Sequence, residues 1–163
     1  MTDEEKNKQL CMVLYGLYVA GILLQFTTPL LVALGGLFLT IVVILAYTKK
    51  KELRGTPFES HFHWMIRTFW IGTGIFLPVI FVLSMVAMWF GTNWESLANA
   101  MSMGDPGAMS EAANTYMKEN EVRLLLITFG SMLPAAIWWI NRCWLGYKRV
   151  KDILPIENPK AWS

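Results

Sequence analysis

The eighteen residues from Leu30 to Tyr47, LLVALGGLFLTIVVILAY, carry no charged side chain and no proline. At about 1.5 Å of rise per residue they make a helix roughly 27 Å long, close to the hydrocarbon thickness of a bilayer. They read as a membrane-crossing helix. Three more apolar runs surround it: Leu10 to Phe26, whose only strongly polar side chain is Gln25, then Phe62 to Phe90, and Leu124 to Ile140. Only Thr27, Thr28 and Pro29 separate the first two runs, which predicts a tight antiparallel hairpin. Thr28 is suited to cap the second helix, and Pro29 to its first turn, where a missing N–H costs nothing. Gly16, Gly21, Gly35 and Gly36 offer places for neighbouring backbones to approach. The third run has 29 residues from Phe62, too long for an untilted crossing, so its first turns are expected in the interface or outside it. Pro78 within it, and Pro134 within the fourth, are expected to disturb their helices.

Composition agrees with this reading. Of 163 residues 55% are hydrophobic, the mean hydropathy is +0.41, and eight tryptophans suit a water–lipid boundary. The polar stretch Met1 to Gln9 is mixed in charge, calls for no fixed structure, and leads into a run without a small-residue cleavage site, so the first helix is expected to be retained. A net charge of +2 is too small to suggest nucleic acid. Cys11 and Cys143 lack the spacing of a zinc site and read as two apolar thiols.

The prediction is an all-α, polytopic membrane protein forming one domain over residues 1–163, with helices at about 10–26, 30–47, 62–90 and 124–147. The polar connection 91–121 contains Trp94 to Met103 and Ser110 to Met117, each able to form a short helix capped by Asn93 or Ser110. A short helical outer loop is therefore expected between helices 3 and 4, followed after helix 4 by a cytoplasmic tail over 148–163. Charge fixes the expected topology. With the N-terminus, the 2–3 loop and everything from Arg142 onward on one side, that side holds twelve of the fourteen Lys and Arg residues, Lys160 included, and seven acids, a net +5. Two basic and five acidic residues leave −3 on the other. Basic residues resist translocation, so both termini are expected in the cytoplasm.

The stretch Glu59-Ser60-His61-Phe62-His63-Trp64-Met65-Ile66-Arg67-Thr68-Phe69-Trp70-Ile71-Gly72 holds both histidines. In a helix Glu59, His63 and Arg67 share one face, opposite Phe62, Met65, Ile66 and Phe69. This stripe has two readings. It is a proton-linked or ligand-binding element, or it is an interfacial anchor in which Arg67 snorkels and Trp64 and Trp70 seat the helix at headgroup depth. Anchoring is the plainer reading, since no acidic residue lies deep in any apolar run to complete a proton path. A metal site from Glu59, His61 and His63 is weak, because His-x-His shares a face only in a strand. Arg142, beside Trp138, Trp139 and Trp144, is expected at the depth of Arg67. The two guanidiniums either bind an anionic headgroup or a partner's carboxylate together, or snorkel independently, with Trp144 as a further anchor. No nucleophile elbow, phosphate loop, paired catalytic carboxylates or facing haem histidines are found, and no catalytic residue, metal or cofactor is assigned.

The short hairpin, the basic loop, the stretch Glu59 to Gly72 and the ending Trp144-Leu145-Gly146-Tyr147-Lys148-Arg149 are together similar to a family of small proteobacterial inner-membrane proteins. That family is distantly related to the chloroplast inner-envelope import channel component. The resemblance implies a four-helix domain in a bacterial inner membrane and, more remotely, a part in translocation. The function expected from all this is a non-enzymatic accessory or scaffold protein that packs against other integral membrane proteins or itself and touches anionic phospholipid headgroups. A transporter or translocation component, with helices 3 and 4 lining a path, is the alternative.

Overall fold

The computed structural model of the protein describes residues 2–159. Lys160 and the end of the tail lie outside the described residues. The described residues form seven α-helices: α1 (Asp3–Leu24), α2 (Pro29–Glu52), α3 (Pro57–Ile71), α4 (Leu77–Gly91), α5 (Glu95–Met103), α6 (Pro106–Glu119) and α7 (Glu121–Lys151). A π-helical turn, Gly72–Phe76, joins α3 to α4, and no strand occurs among the described residues. Among the described residues four helical stretches are long and apolar enough to cross a membrane: Asp3–Leu24, Pro29–Glu52, Pro57–Gly91 and Glu121–Lys151. They run beyond the predicted apolar runs because their polar ends are good helix ends. Thr2 and Glu5 form a reciprocal capping box that starts α1 at Asp3, so the N-terminal stretch is helical rather than irregular. Lys49, Lys50 and Lys51 carry α2 to Glu52, their charge suiting the negative end of the helix dipole. Thr28 departs from the prediction: its side chain makes no capping bond, and Pro29 in the first turn serves alone.

The chain divides into two compact units, Met1–Phe76 with Ala135–Ser163, and Leu77–Pro134. The first is built on α1, α2, α3 and the second half of α7. Its core joins Cys11, Leu14, Tyr15 and Tyr18 of α1, Val42 and Ala46 of α2, and Phe62 and Met65 of α3. Of the four glycines proposed for close approach, Gly21 and Gly35 fulfil that role. A Cβ on Gly35 would lie 2.6 Å from the Gly21 carbonyl oxygen, whereas one on Gly16 or Gly36 would meet nothing within 4 Å. α7 presents Ala135, Ala136, Trp139, Arg142, Cys143, Gly146 and Val150 as a buried stripe at helical spacing. Cys11 and Cys143 are both buried and free.

Two local devices shape this unit. The π-helical turn ends just before Pro78, whose ring would crowd the carbonyl of Gly74 and whose nitrogen offers it no hydrogen. At the other end α7 closes in a Schellman arrangement: Leu154 N–H donates to Arg149 O (2.9 Å) and Ile153 N–H to Val150 O (3.1 Å). Ile153 occupies the left-handed position with φ of 55°, where glycine is usual. Its side chain packs on the core, and the chain beyond it is tied down by Ile156 N–H donating to Ser60 Oγ (2.9 Å). The segment after α7 is therefore docked as far as Ile156.

The second unit contains α4, α5, α6 and the first half of α7. The predicted helical pair is present, with α6 starting earlier than expected because Asp105, not Ser110, caps it and Pro106 takes the first turn. Asn120, 1% exposed, accepts from Asn93 N–H (3.1 Å) and donates to Tyr116 O (3.0 Å). The Tyr116 hydroxyl meets Thr92 Oγ at 2.8 Å, and its ring lies 5.1 Å from that of Trp94. The connection between α4 and α7 is thus a hydrogen-bonded structure. α4 differs from the helices of the first unit in one respect: it buries none of its residues.

Candidate functional site

Arg142 decides where the site lies. It falls on the buried stripe of α7, and the helical register carries its guanidinium into the first unit, leaving the residue 1% exposed. This departs from the snorkelling alternative: along the stripe Trp139 and Gly146 meet Tyr18 and Tyr15 of α1, and Arg142 meets Trp64 and Thr68 of α3. Its guanidinium carbon stacks 3.5 Å from the centroid of Trp64 and 5.0 Å from that of Trp138. Three hydrogen bonds close a ring between α3 and α7. Trp64 Nε1–H donates to Arg142 O (3.1 Å), Arg142 Nε–H donates to Thr68 Oγ1 (3.0 Å), and Thr68 Oγ1–H donates to Trp64 O (2.7 Å). Trp64 is 4% exposed and belongs to this ring, so it is not the interfacial anchor the sequence suggested; its indole N–H is satisfied inside the protein.

The remaining predicted residues lie around this centre. Arg67 is half-buried, its Nε is shielded without a hydrogen-bond partner, and its charge is near enough to that of Arg142 for the two to repel. Glu59 is half-buried, and its carboxylate reaches back to the Gly55 N–H (2.8 Å) at the start of α3. His63 is half-buried on the same helix face as Glu59 and Arg67. Trp70 and Trp144 are on the surface, 56% and 53% exposed. Trp70 donates to the Tyr47 hydroxyl (2.9 Å), and Trp144 stacks on Tyr147 at 6.0 Å.

Sequence reasoning missed Tyr15 and Thr68, and considered His61 only as a weak metal ligand. His61 is 1% exposed and joins three segments. A carbonyl only accepts, so its bond to Leu154 O (2.9 Å) assigns the hydrogen to Nε2, and Nδ1 then accepts from the Tyr15 hydroxyl (3.1 Å). Tyr15 in turn packs on Gly146, the one residue type that leaves it room. The signal was present in α3: His61, Trp64, Met65 and Thr68 recur at helical spacing and form one buried face. Among the described residues no three His, Cys, Asp or Glu side chains gather as a metal site would require. What the centre holds is positive charge, spread over indole faces and a hydroxyl, with a second guanidinium beside it. No family model matches the chain, and no curated protein or solved structure shows significant similarity to it.

Proposed function

We propose that this is a non-enzymatic accessory or scaffold protein of a bacterial inner membrane, packing through its second unit against other integral membrane proteins. The observation that carries the reading is α4. It buries none of its residues, and Phe81, Trp89 and Phe90 are 65%, 69% and 84% exposed. A helix apolar all round belongs in lipid or against other helices. Helices in lipid associate through close packing and occasional polar contacts rather than through the hydrophobic effect. On α4 the polar contact is Ser84 with Ser131 of α7 (2.9 Å), and a notch of about 290 Å³ over Pro78, Val79, Val82 and Leu83 offers relief into which a partner's side chain fits. The stretch Glu59 to Gly72 and its resemblance support an inner-membrane setting, and the basic excess on one side supports cytoplasmic termini. Anionic headgroups are the natural neighbours of that basic side.

The test is site-specific photocrosslinking in living cells at native expression, from probes replacing Phe81, Leu83 and Val86 on α4 and Ile44 on α2. A protein adduct from the α4 positions, identified by mass spectrometry after mild detergent extraction, is the expected result. Adducts to lipid alone from all four positions, with a clean monomer on extraction, refute the proposal.

A further inference from the structure

In the first unit, α1 and the second half of α7 leave an apolar groove of about 320 Å³ walled by Tyr15, Gly16, Val19, Ile140, Trp144 and Tyr147. Gly16 keeps it open, since a Cβ there would meet nothing within 4 Å. The two helices run antiparallel, because Tyr15 packs on Gly146 while Tyr18, one turn further along α1, lies 6.0 Å from Trp139, two turns earlier on α7. Moving toward the start of α1 is therefore moving toward the end of α7. Helical spacing places Lys8 seven residues before Tyr15, and Lys148 and Lys151 four and seven residues after Trp144, all beyond the same end of the groove. The Lys148 ammonium lies 5.3 Å from the Trp144 ring, directly at that end.

We propose that the groove is a lipid site that takes one acyl chain of an anionic phospholipid, with its phosphate held at Lys148 and Lys151. The lining favours a lipid chain, being apolar along the groove and basic at one end. The groove's volume falls at the lower end of the range of about 300–1,000 Å³ typical of small-ligand sites. Charge selects the headgroup, because basic side chains near a bilayer surface each favour an anionic lipid over a neutral one. Rings edge the mouth where chain gives way to headgroup, the depth at which indole and phenol are at home.

The inference rests on the membrane-spanning reading of the helices and not on the scaffold role; recovery of the protein in the carbonate-washed membrane fraction checks that reading by itself. The experiment is native mass spectrometry of the full-length protein released from nanodiscs containing equal phosphatidylglycerol and phosphatidylcholine. The wild type is expected to retain one phosphatidylglycerol in preference to phosphatidylcholine. Lys148→Gln with Lys151→Gln, both at exposed positions, is expected to lower that preference by roughly fivefold per lysine. Gly16→Phe fills the groove and is expected to abolish retention of either lipid while leaving thermal unfolding cooperative. Equal retention of the two lipids by the wild type, retention unchanged in Gly16→Phe, or a copurifying protein displaced by Gly16→Phe would each overturn the proposal.

Discussion

Gly146→Ala tests the packing of the buried centre with a single methyl group. The Cβ it adds falls inside the van der Waals radius of the Tyr15 ring and hydroxyl. Tyr15 is 2% exposed and its hydroxyl is committed to His61, so the ring cannot turn away toward the groove it borders without breaking that bond. Overpacking of this kind costs about 1–3 kcal/mol. Moving the ring also withdraws the donor from His61 Nδ1, and a buried nitrogen left without a partner costs about 1–3 kcal/mol more. Against this, alanine in place of glycine favours a helix by about 1 kcal/mol. The net is a loss of about 3 kcal/mol, roughly a hundredfold in the folding equilibrium. The control is Gly36→Ala, where a Cβ meets nothing within 4 Å and only the helix preference acts. The same chemical change is therefore expected to destabilise at one glycine and to be neutral or stabilising at the other. Equilibrium unfolding in mixed detergent micelles, followed by tryptophan fluorescence, measures both. If Gly146→Ala is as stable as the wild type, or if both variants shift in the same direction by the same amount, the placement of Tyr15 against α7 is refuted.

Thr68→Val keeps the volume but removes the acceptor of Arg142 Nε, and is expected to cost about 2 kcal/mol in the same assay, with Thr68→Ser close to wild type. Cys11 and Cys143 are expected to resist a membrane-permeant maleimide in the folded protein and to react fully after unfolding in dodecyl sulfate, read by intact mass; rapid labelling of the folded form would contradict their burial. Asn120→Ala removes the side chain that ties residues 93 and 116 to the start of α7, and is expected to speed hydrogen exchange across α5 and α6 while leaving α1 to α3 unchanged.

Helices were legible because their signal is long and redundant: eighteen uncharged residues in a row read the same way wherever the neighbours lie. Helix ends were legible only where the chemistry is local, as at Pro29 in the first turn of α2; they were missed at Asp105-Pro106, where α6 begins four residues before the expected Ser110 to Met117, and where polar residues extend a helix, as at Asp3 to Gln9 and Lys49 to Glu52. The site was half legible. Glu59, His63 and Arg67 do share a face, and Trp70 and Trp144 are on the surface. Arg142 and Trp64 were misplaced because an arginine or tryptophan near a helix end has two physical options, outward to water or inward to a partner, and the choice depends on what the adjoining helix presents. Thr68 and the Trp64 ring, on another helix, make the inward option the better one. His61 was harder still, since its partners Tyr15 and Leu154 lie 46 and 93 residues away in sequence.

Burial of Arg142 also bears on what the protein has to spare. A guanidinium withdrawn from solvent costs several kcal/mol unless its faces and hydrogens are met. Here two indoles cover the faces, Thr68 meets Nε, and the backbone carbonyl of Arg142 is used in return by Trp64. An arrangement in which each member both gives and receives is broken by loss of any one of them, so the first unit is expected to unfold as a whole rather than helix by helix. α4 has few such internal commitments: Ser84 meets Ser131, but Phe81 and Val86 are exposed, and replacing either removes no buried contact of the chain itself. Substitutions on α4 are therefore free to alter association without altering stability, whereas substitutions in the ring of Trp64, Thr68 and Arg142 should lower stability first. If α4 variants at Phe81 or Val86 instead destabilise the isolated protein as much as Thr68→Val does, that helix is packed by its own chain, and the scaffold reading loses the surface on which it depends.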